Sequence, residues 1–460
     1  MRAAFLVKSP RSTALRALNY EPRVERLRAR SNQTVALRDL LIAFGDSYGS
    51  IFASEECAPG HGVELLSQRD MFRAESEGKW IRRGCLPRPD DHAIRKWQIL
   101  IAGAGTLAPT ELYGRSVLAD DRLVGKYLGP DGLALTFKDA GSDFCLYVAA
   151  FLLTELGVAA IRSLSSGTKL LRPRLDMLEQ LRIPVPNETL VRRIATLVRR
   201  SALARELYLR ELRSARGVVE ALPEMRDAHL MCSNRVKRAT IWNGALPTLS
   251  AWNFASTGDA LGHLNKAWSG RLRDVLQPDG VFNGPRFARI ECRPPHGIDF
   301  YSQRDVFLMR PIPRRIARPS IPDRLLFVPR DAVLAGSHGQ LTDGGIFGKV
   351  ELASFGAHRG GLTQDLLRLL FVPSERSIAF AFLSTIVGER LLKSTAVGTS
   401  IPSMRLDLLK QLPYPDLTDE QRRVVTEQVG QAERARIDAV EAEAEAIHIV
   451  QEEVLPPWLG

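Results

Sequence analysis

From Ile194 to Leu222 the chain sets apolar positions at alternating steps of three and four. Ile194, Leu197, Ala204, Tyr208, Ala215, Val218 and Leu222 fall on this seam, and Ser201 and Glu211 complete it. Such spacing predicts a long helix with a coiled-coil face. A second stretch, free of proline from Asp416 to Val454, repeats the seam as Val425, Gln428, Ala432, Ala435, Ala439, Ala442, Ala446 and Ile449. Each of these follows its counterpart by 231 positions. The second seam is mostly alanine, so its small knobs fit against larger ones such as Leu197 and Tyr208. Residues 187–222 carry eight arginines against four glutamates, whereas residues 416–454 carry four arginines against eleven acids. Opposite charges beside matched seams predict that the two helices pair with each other; an antiparallel pairing within one chain is expected because it would let two identical partners dock equivalently.

The repeat extends well beyond the helices. At an offset of 235, about half the positions of residues 37–72 recur in residues 272–307, among them Leu37-Arg38-Asp39, Glu56-Cys57, His61-Gly62 and Ser67-Gln68-Arg69-Asp70. At 231 the helical stretch with Phe151-Leu152, Thr154 and Gly157 recurs as Phe382-Leu383, Thr385 and Gly388, and Gly167-Thr168 recurs as Gly398-Thr399. A tandem duplication explains so small a drift. Each half begins with a globular part that mixes short apolar runs (Gln98 to Ala102, Ala332 to Ala335) with a late helix, which predicts an α/β or α+β fold. The predicted order is a globular segment at 1–186, a helical arm at 187–230, a linker and second globular segment at 231–415, and a second arm at 416–460. The turn-forming residues 246–258 read as the linker.

Charge narrows the function. A net charge of +11 over 460 residues favours a polyanionic partner. Five cysteines, at 57, 85, 145, 232 and 292, form no Cys-x-x-Cys pair, which fits a reducing, cytoplasmic compartment. The N-terminal stretch has Arg2, Lys8, Arg11 and Arg16 without a long apolar core, so it does not read as a secretory signal. Phe144 to Ile161 and its twin Ile378 to Leu392 are apolar but carry Glu155, Glu389 and Arg390, which predicts buried helices and no membrane span.

Catalytic patterns are poor. Gly103-Ala104-Gly105 formally begins a dinucleotide fingerprint, but Pro109 falls early in the helix that the pattern needs. Gly344 to Val350 resembles a phosphate loop without the Ser/Thr after its lysine, and Asp70 with Glu77 and Lys79 imitates nuclease carboxylates without a twin at Asp305. Cys57 with His61, and Cys292 with His296, read as a shared packed turn, since two ligands cannot close a tetrahedral metal site; a zinc site that recruits further ligands is the alternative. The halves diverge over 73–97 and 308–331, yet both stretches are basic, with Arg82, Arg83, Arg88, Arg95 and Lys96 in one and Arg310, Arg314, Arg315, Arg318, Arg324 and Arg330 in the other. Arginine reads guanine edges and grips phosphate, so these residues are candidate DNA contacts. Gln68, Arg69, Gln303 and Arg304 of the shared motif and Lys349 join them. Ile194, Leu197, Ala204, Tyr208, Val425, Ala435, Ala439 and Ala446 are the candidate arm contacts.

Two globular segments, each ending in Gly-Thr and a proline turn (Gly167 to Pro186, Gly398 to Pro415) before a long helix, resemble the DNA specificity subunit of type I restriction–modification systems. The helix openings Glu188-Thr189-Leu190-Val191-Arg192-Arg193-Ile194 and Glu420-Gln421-Arg422-Arg423-Val424-Val425 carry the same resemblance. It implies two target-recognition domains reading the halves of a split double-stranded DNA site, with the paired arms as ruler between them. It also implies a subunit without catalysis, cofactor or metal of its own. Its partners would be two methyltransferase subunits that bind S-adenosylmethionine and, in many systems, translocating nuclease subunits. Phage defence by DNA methylation would be the setting. A bivalent coiled-coil scaffold indifferent to DNA, and an enzyme with an unfamiliar site, are the alternatives.

Overall fold

The computed structural model describes residues 17–29, 33–108, 110–233, 253–254, 257, 259–342, 344–398 and 400–459. The chain forms two compact units, residues 1–206 with 438–460 and residues 207–437. The division falls inside the long helices, so each unit takes a part of both arms, whereas the sequence pattern puts the boundaries at the arms' starts. Arg2, Lys8, Arg11, Arg16, Pro109, Thr399 and nearly all of the expected linker lie outside the described residues.

In the first unit the strands of the two larger sheets are β1 (Leu41–Phe44), β2 (Val63–Leu66), β3 (Lys79–Ile81), β4 (Ile99–Ala102), β5 (Ser116–Leu118), β6 (Tyr127–Leu128) and β7 (Gly132–Phe137). A four-stranded antiparallel sheet runs β1-β7-β4-β5, and a three-stranded sheet runs β3-β2-β6 with β2 and β6 parallel. Strand β4 is buried at all four positions, which is why Ile99-Leu100-Ile101-Ala102 is apolar on both faces. Helices α1 (Asp143–Leu153) and α2 (Glu155–Arg162) pack into the core with Ile99, Ile101 and Leu135. The arm helix α3 (Glu188–Glu220) follows.

The second unit has β8 (Leu276–Asn283), β9 (Ile298–Tyr301), β10 (Arg314–Ile316), β11 (Val333–Gly336), β12 (Val350–Leu352), β13 (Gly361–Leu362) and β14 (Leu366–Phe371). Its sheets run β8-β14-β11-β12 and β10-β9-β13, with β9 and β13 parallel. The strand order of the first unit is therefore reproduced, as the duplication predicts. Helices α4 (Arg376–Leu383) and α5 (Ile386–Lys393) occupy the places of α1 and α2, and α6 (Asp419–Ile449) is the second arm.

The apolar stretch expected as a single buried helix is two in each unit. Thr154 leaves helical geometry, and its Oγ1 accepts from Gly157 N at 3.0 Å; Thr385 and Gly388 do the same at 3.0 Å. The helix axes of α1 and α2 differ by 79°. A Cβ at Gly157 would sit 2.3 Å from Phe151 O, and one at Gly388 would sit 2.2 Å from Phe382 O. The duplicated Thr-x-x-Gly is thus a corner that no larger residue can fill. Among the described residues no single helix is long and apolar enough to cross a membrane.

Within each unit the arm segments pair antiparallel. In the first, Arg193 Nη1 meets Glu453 Oε1 at 2.9 Å, Arg200 pairs with Asp438, and Ser201 Oγ donates to Ala439 O at 2.7 Å. In the second, Gln428 Nε2 donates to Ser214 Oγ at 2.7 Å. Ile194, Ala204, Tyr208, Val425, Ala435, Ala439 and Ala446 are buried, while Leu197 is half-buried against the first core. The heptad places Glu211 and Val218 on the seam, but the buried neighbours are Leu212 and Val219. A straight helix drifts off a 3.5-residue repeat, and each arm also packs on its own globular part, so the buried stripe is wider than a strict seam. The first arm also stops early. Pro223 starts a separate helix (Pro223–Ser233), so residues 187–230 are not one rod.

One arginine of each arm is sealed into the globular part beside it. Arg205 pairs with Glu443 and approaches Asp120 Oδ2 at 3.7 Å, with Arg122 Nε 3.2 Å from Asp120 Oδ1. Arg436 Nη1 lies 2.5 Å from Glu351 Oε2, Nη2 donates to Leu308 O at 2.8 Å, and the guanidinium stacks 4.0 Å over the Phe355 ring. Burial opposes both charges, but Glu443 and Asp120 hold the Arg205 pKa above its ordinary value, and Glu351 with Tyr208 does so for Arg436. Arg436→Met strips Glu351 of this cation inside the core and should cost about 3–5 kcal/mol. Urea unfolding should register that loss, and the double variant Arg436→Met/Glu351→Leu should regain most of it. A cost under about 1 kcal/mol for the single variant would mean that the pair does not anchor the arm.

Candidate nucleic-acid interface

The duplicated Ser-Gln-Arg-Asp motif builds a loop holder in each unit. Asp70 Oδ2 accepts from Ser67 Oγ at 2.6 Å and Ser67 N at 2.9 Å; Asp305 Oδ2 accepts from Ser302 at the same two distances. This reciprocal i,i+3 box fixes the backbone between its members. Gln68 is thereby aimed at the glycine loop after β4, donating to Ala104 O at 2.7 Å and accepting from Ala104 N at 3.1 Å. Gln303 makes the equivalent pair with His338, at 2.8 and 3.2 Å. Both amides are engaged by loop backbone, so their part in any recognition passes through the loop's position.

The same loops meet the Gly-Thr segments. Gly105 and Leu171 exchange backbone hydrogen bonds at 3.1 and 2.8 Å, and Gly339 N donates to Pro402 O at 3.2 Å. The motifs that recur in sequence thus converge on one place in each unit, with Leu107 and Leu170 exposed in the first and Ile401 in the second. Tyr48 Oη donates to Gly103 O at 2.6 Å beneath the Arg172 guanidinium, and burial pushes the phenol up to about 12.

The Cys-x-x-x-His turn is a close-packed corner. A Cβ on Gly62 would fall 2.6 Å from Cys57 Sγ and 2.1 Å from Ile81 O; on Gly297 it would fall 2.3 Å from Cys292 Sγ and 2.2 Å from Ile316 O. Cys57 N donates to Trp80 O at 3.0 Å and Cys292 N to Arg315 O at 3.1 Å, docking each turn on β3 or β10. No group of three or more His, Cys, Asp or Glu that could hold a metal occurs among the described residues. Asp70, Glu77 and Lys79 do not gather as carboxylates and a lysine would around one metal: Asp70 serves the serine box, and Lys79 pairs with Glu56 at 3.0 Å.

The candidate basic residues divide into held and open. In the first unit Arg82 pairs with Glu55 at 3.0 Å, Arg83 with Asp90 at 3.2 Å and Arg88 with Asp91 at 2.9 Å. Lys96 bonds Asp121 at 2.8 Å and Glu206 of the arm at 3.2 Å, and the Asp121 hydrogen bond raises its pKa. Arg69 and Arg95 are exposed. In the second unit Arg315 is a corner clamp, donating to His296 O at 2.9 Å and Pro295 O at 3.2 Å and pairing with Asp299 at 2.8 Å. Arg318 pairs with Asp323 at 2.5 Å, Arg304 lies 3.8 Å from Asp305, and Lys349 lies 3.7 Å from Glu389. Arg314 is half-buried on β10 opposite Phe300, and Arg310 is half-buried beyond the serine box.

Three features escaped the sequence reading. Arg205 and Arg436 are twins 231 positions apart, yet among so many arm arginines they looked like solvated charge. Asn19 Nδ2 donates to Ser163 O at 2.7 Å and Ser165 O at 3.0 Å, and Asn253 repeats this with Ser394 O and Ala396 O at 2.5 and 2.8 Å. The signal for that clamp was an isolated match outside the dense repeat. Arg368, buried in β14, had no signal at all, because its twin is Ala134.

The chain is similar to three solved structures. The S subunit of a type I restriction–modification system from M. genitalium is 15% identical with a TM-score of 0.31, covering 92% of this chain and 95% of that one. The HsdS subunit from Thermoanaerobacter tengcongensis is 16% identical with a TM-score of 0.26, covering 93% and 96%. A chain from work on complex assembly and conformational transition of the type I R-M system is 15% identical with a TM-score of 0.25, covering 93% and 97%. No protein-family model and no curated protein matches the chain.

If the Gln clamp positions the loop, Gln303→Ala should speed hydrogen–deuterium exchange at His338 and Gly339 while leaving β11 protected. The cost in stability should be about 1 kcal/mol, that of a half-buried pair of hydrogen bonds lost to water. Unchanged exchange in that loop would show that the glutamine does not hold it.

Proposed function

We propose that this chain is the specificity subunit of a type I-like restriction–modification or methylation-based defence complex, binding a bipartite double-stranded DNA site. The observation that carries the reading is the duplicated unit: one strand order built twice, each copy joined to an antiparallel pair of arm segments. Two copies of one unit suit two identical partner subunits, since equivalent surfaces present equivalent docking sites. The partners would be two methyltransferase subunits carrying S-adenosylmethionine, with or without nuclease subunits, in the cytoplasm. The chain itself would be non-catalytic, its specificity lying in the divergent segments at 73–97 and 308–331 and in the glycine loops. The net charge of +11 supports a polyanion over a purely protein-joining scaffold.

Helix α3 alone, at 33 residues, is about 50 Å long, more than one DNA turn of about 34 Å. Spacing and sequence should therefore be separable. Seven residues inserted after Glu206 and seven after Ile437, where one unit gives way to the other within each helix, leave every contact inside either unit in place. They preserve the seam and add about 10 Å, or roughly three base pairs. Sequencing the methylated bases in cells expressing the chain with its methyltransferase partners should show both half-sites kept and the spacer longer by about three base pairs. An unchanged spacer would remove the arms from the role of ruler. Absence of DNA binding by the wild-type assembly would favour the scaffold.

A further inference from the structure

The two units share a frame but not an electrostatic character. Residues 49–96 hold eight basic and eight acidic side chains; the matching residues 284–331 hold ten basic and five acidic ones. In the first unit Arg82, Arg83 and Arg88 are each paired with a carboxylate. In the second, Arg286, Arg289 and Arg324 are exposed, and among the described residues none has a carboxylate partner. Arg289 rests 5.2 Å over the Phe300 ring and donates to the neutral groups Thr363 Oγ1 and Gln364 Oε1, both at 3.0 Å.

A buried charge lies under this cluster. Arg368 is fully buried and bonded only to carbonyls: Leu366 O at 2.7 Å, Thr363 O at 3.0 Å, Leu362 O at 3.1 Å and Leu325 O at 3.4 Å. Its Nε is buried without a partner. Burial lowers its pKa to about 10, with no acid contributing, so it stays cationic at neutral pH. A Cβ on Gly284 would lie 2.8 Å from Arg368 Nη2 and 3.0 Å from Leu325 O, so the chain that leads to Arg286 passes close over the buried guanidinium. Thr363 ties Arg289 to the carbonyls around Arg368, and Leu325 follows Arg324. Neither nearby acid bonds Arg368: Asp323 pairs with Arg318, and Asp365 accepts from Thr363 Oγ1 at 3.0 Å. An unneutralised interior cation adds to the field of the exposed ones above it, and low-dielectric surroundings screen it little.

We propose that the second unit supplies most of the phosphate grip on DNA, through Arg286, Arg289 and Arg324 above the buried Arg368, while the first unit, whose residues 49–96 balance in charge, contributes little to it. This rests on the DNA-binding reading above. The test compares the full chain, assembled with its methyltransferase partners, on a random-sequence DNA duplex across a salt titration. The triple variant Arg286→Gln/Arg289→Gln/Arg324→Gln should lower the slope of log K against log salt by up to about 3, at ~0.9 per phosphate contact. Arg82→Gln/Arg83→Gln/Arg88→Gln should lower it by less than about 1. These are surface changes, and circular dichroism melts verify that both variants fold. Equal losses, or a larger loss from the first unit, would overturn the asymmetry while leaving DNA binding intact. Preference of the wild type for duplex RNA over DNA would reassign the cluster's partner and overturn the proposal. Absence of any DNA binding by the wild type would remove the functional reading together with it.

Discussion

Two guanidinium groups, Arg205 and Arg436, set what each unit can be. Each leaves a long helix, loses its water and finds a carboxylate in or just after the last strand of the larger sheet's edge: Asp120 beyond β5, and Glu351 in β12. Taking such charges out of water is costly, and the pairing does little more than offset it. Their value lies in geometry. A helix held only by alanines and leucines can slide or roll, whereas a buried guanidinium accepts one register. The two units reach this end by different routes. The carbonyl of Arg73 accepts from Arg122 in the first, and its twin, that of Leu308, accepts from the arm arginine itself in the second.

Much of the frame could be read from the chain because the duplication separates what two copies must share from what they need not. Thr154 with Gly157, Ser67 with Asp70 and Cys57 with Gly62 recur, and each proves to be a position where backbone geometry admits few other residues. The seam predicted the pairing, and it misplaced Glu211 and Val218 because it took account of one packing partner where the helix has two. The basic residues were harder to read. Spacing along the chain cannot say that Arg315 is spent on a turn nineteen residues upstream, or that Lys96 is held by Glu206. Those partners are supplied by folding. Arg368 was beyond reach for the opposite reason, since nothing in a lone arginine within Leu-Leu-Arg-Leu-Leu-Phe distinguishes a strand's core from its edge.

The divergent segments gain meaning against this frame. On either side of the serine box the copies keep a strand pair in the same place, β2 with β3 and β9 with β10, and change nearly every side chain on it. The scaffold residues tolerate that change because they bond to backbone, whose groups are the same whatever the sequence. Gln68 and Gln303 hold loops of different composition with the same two hydrogen bonds. A frame fixed through the main chain leaves its surface free to vary.

The antiparallel arms also impose an order of events. The core of the first unit includes Ala446, Ile449, Val450, Val454, Leu455 and Trp458 beside Val24, Ile194 and Val198. A ribosome that has already released the first two hundred residues has therefore not yet made the part that closes their core. Residues 207–437 meet no such delay, because every segment of the second unit precedes the last turns of α6. Contacts spanning so much sequence form slowly, and surface that waits for them stays open to other chains in the meantime. The later unit in the sequence is thus the earlier one able to fold, and the half-finished first unit spends most of translation in need of shelter.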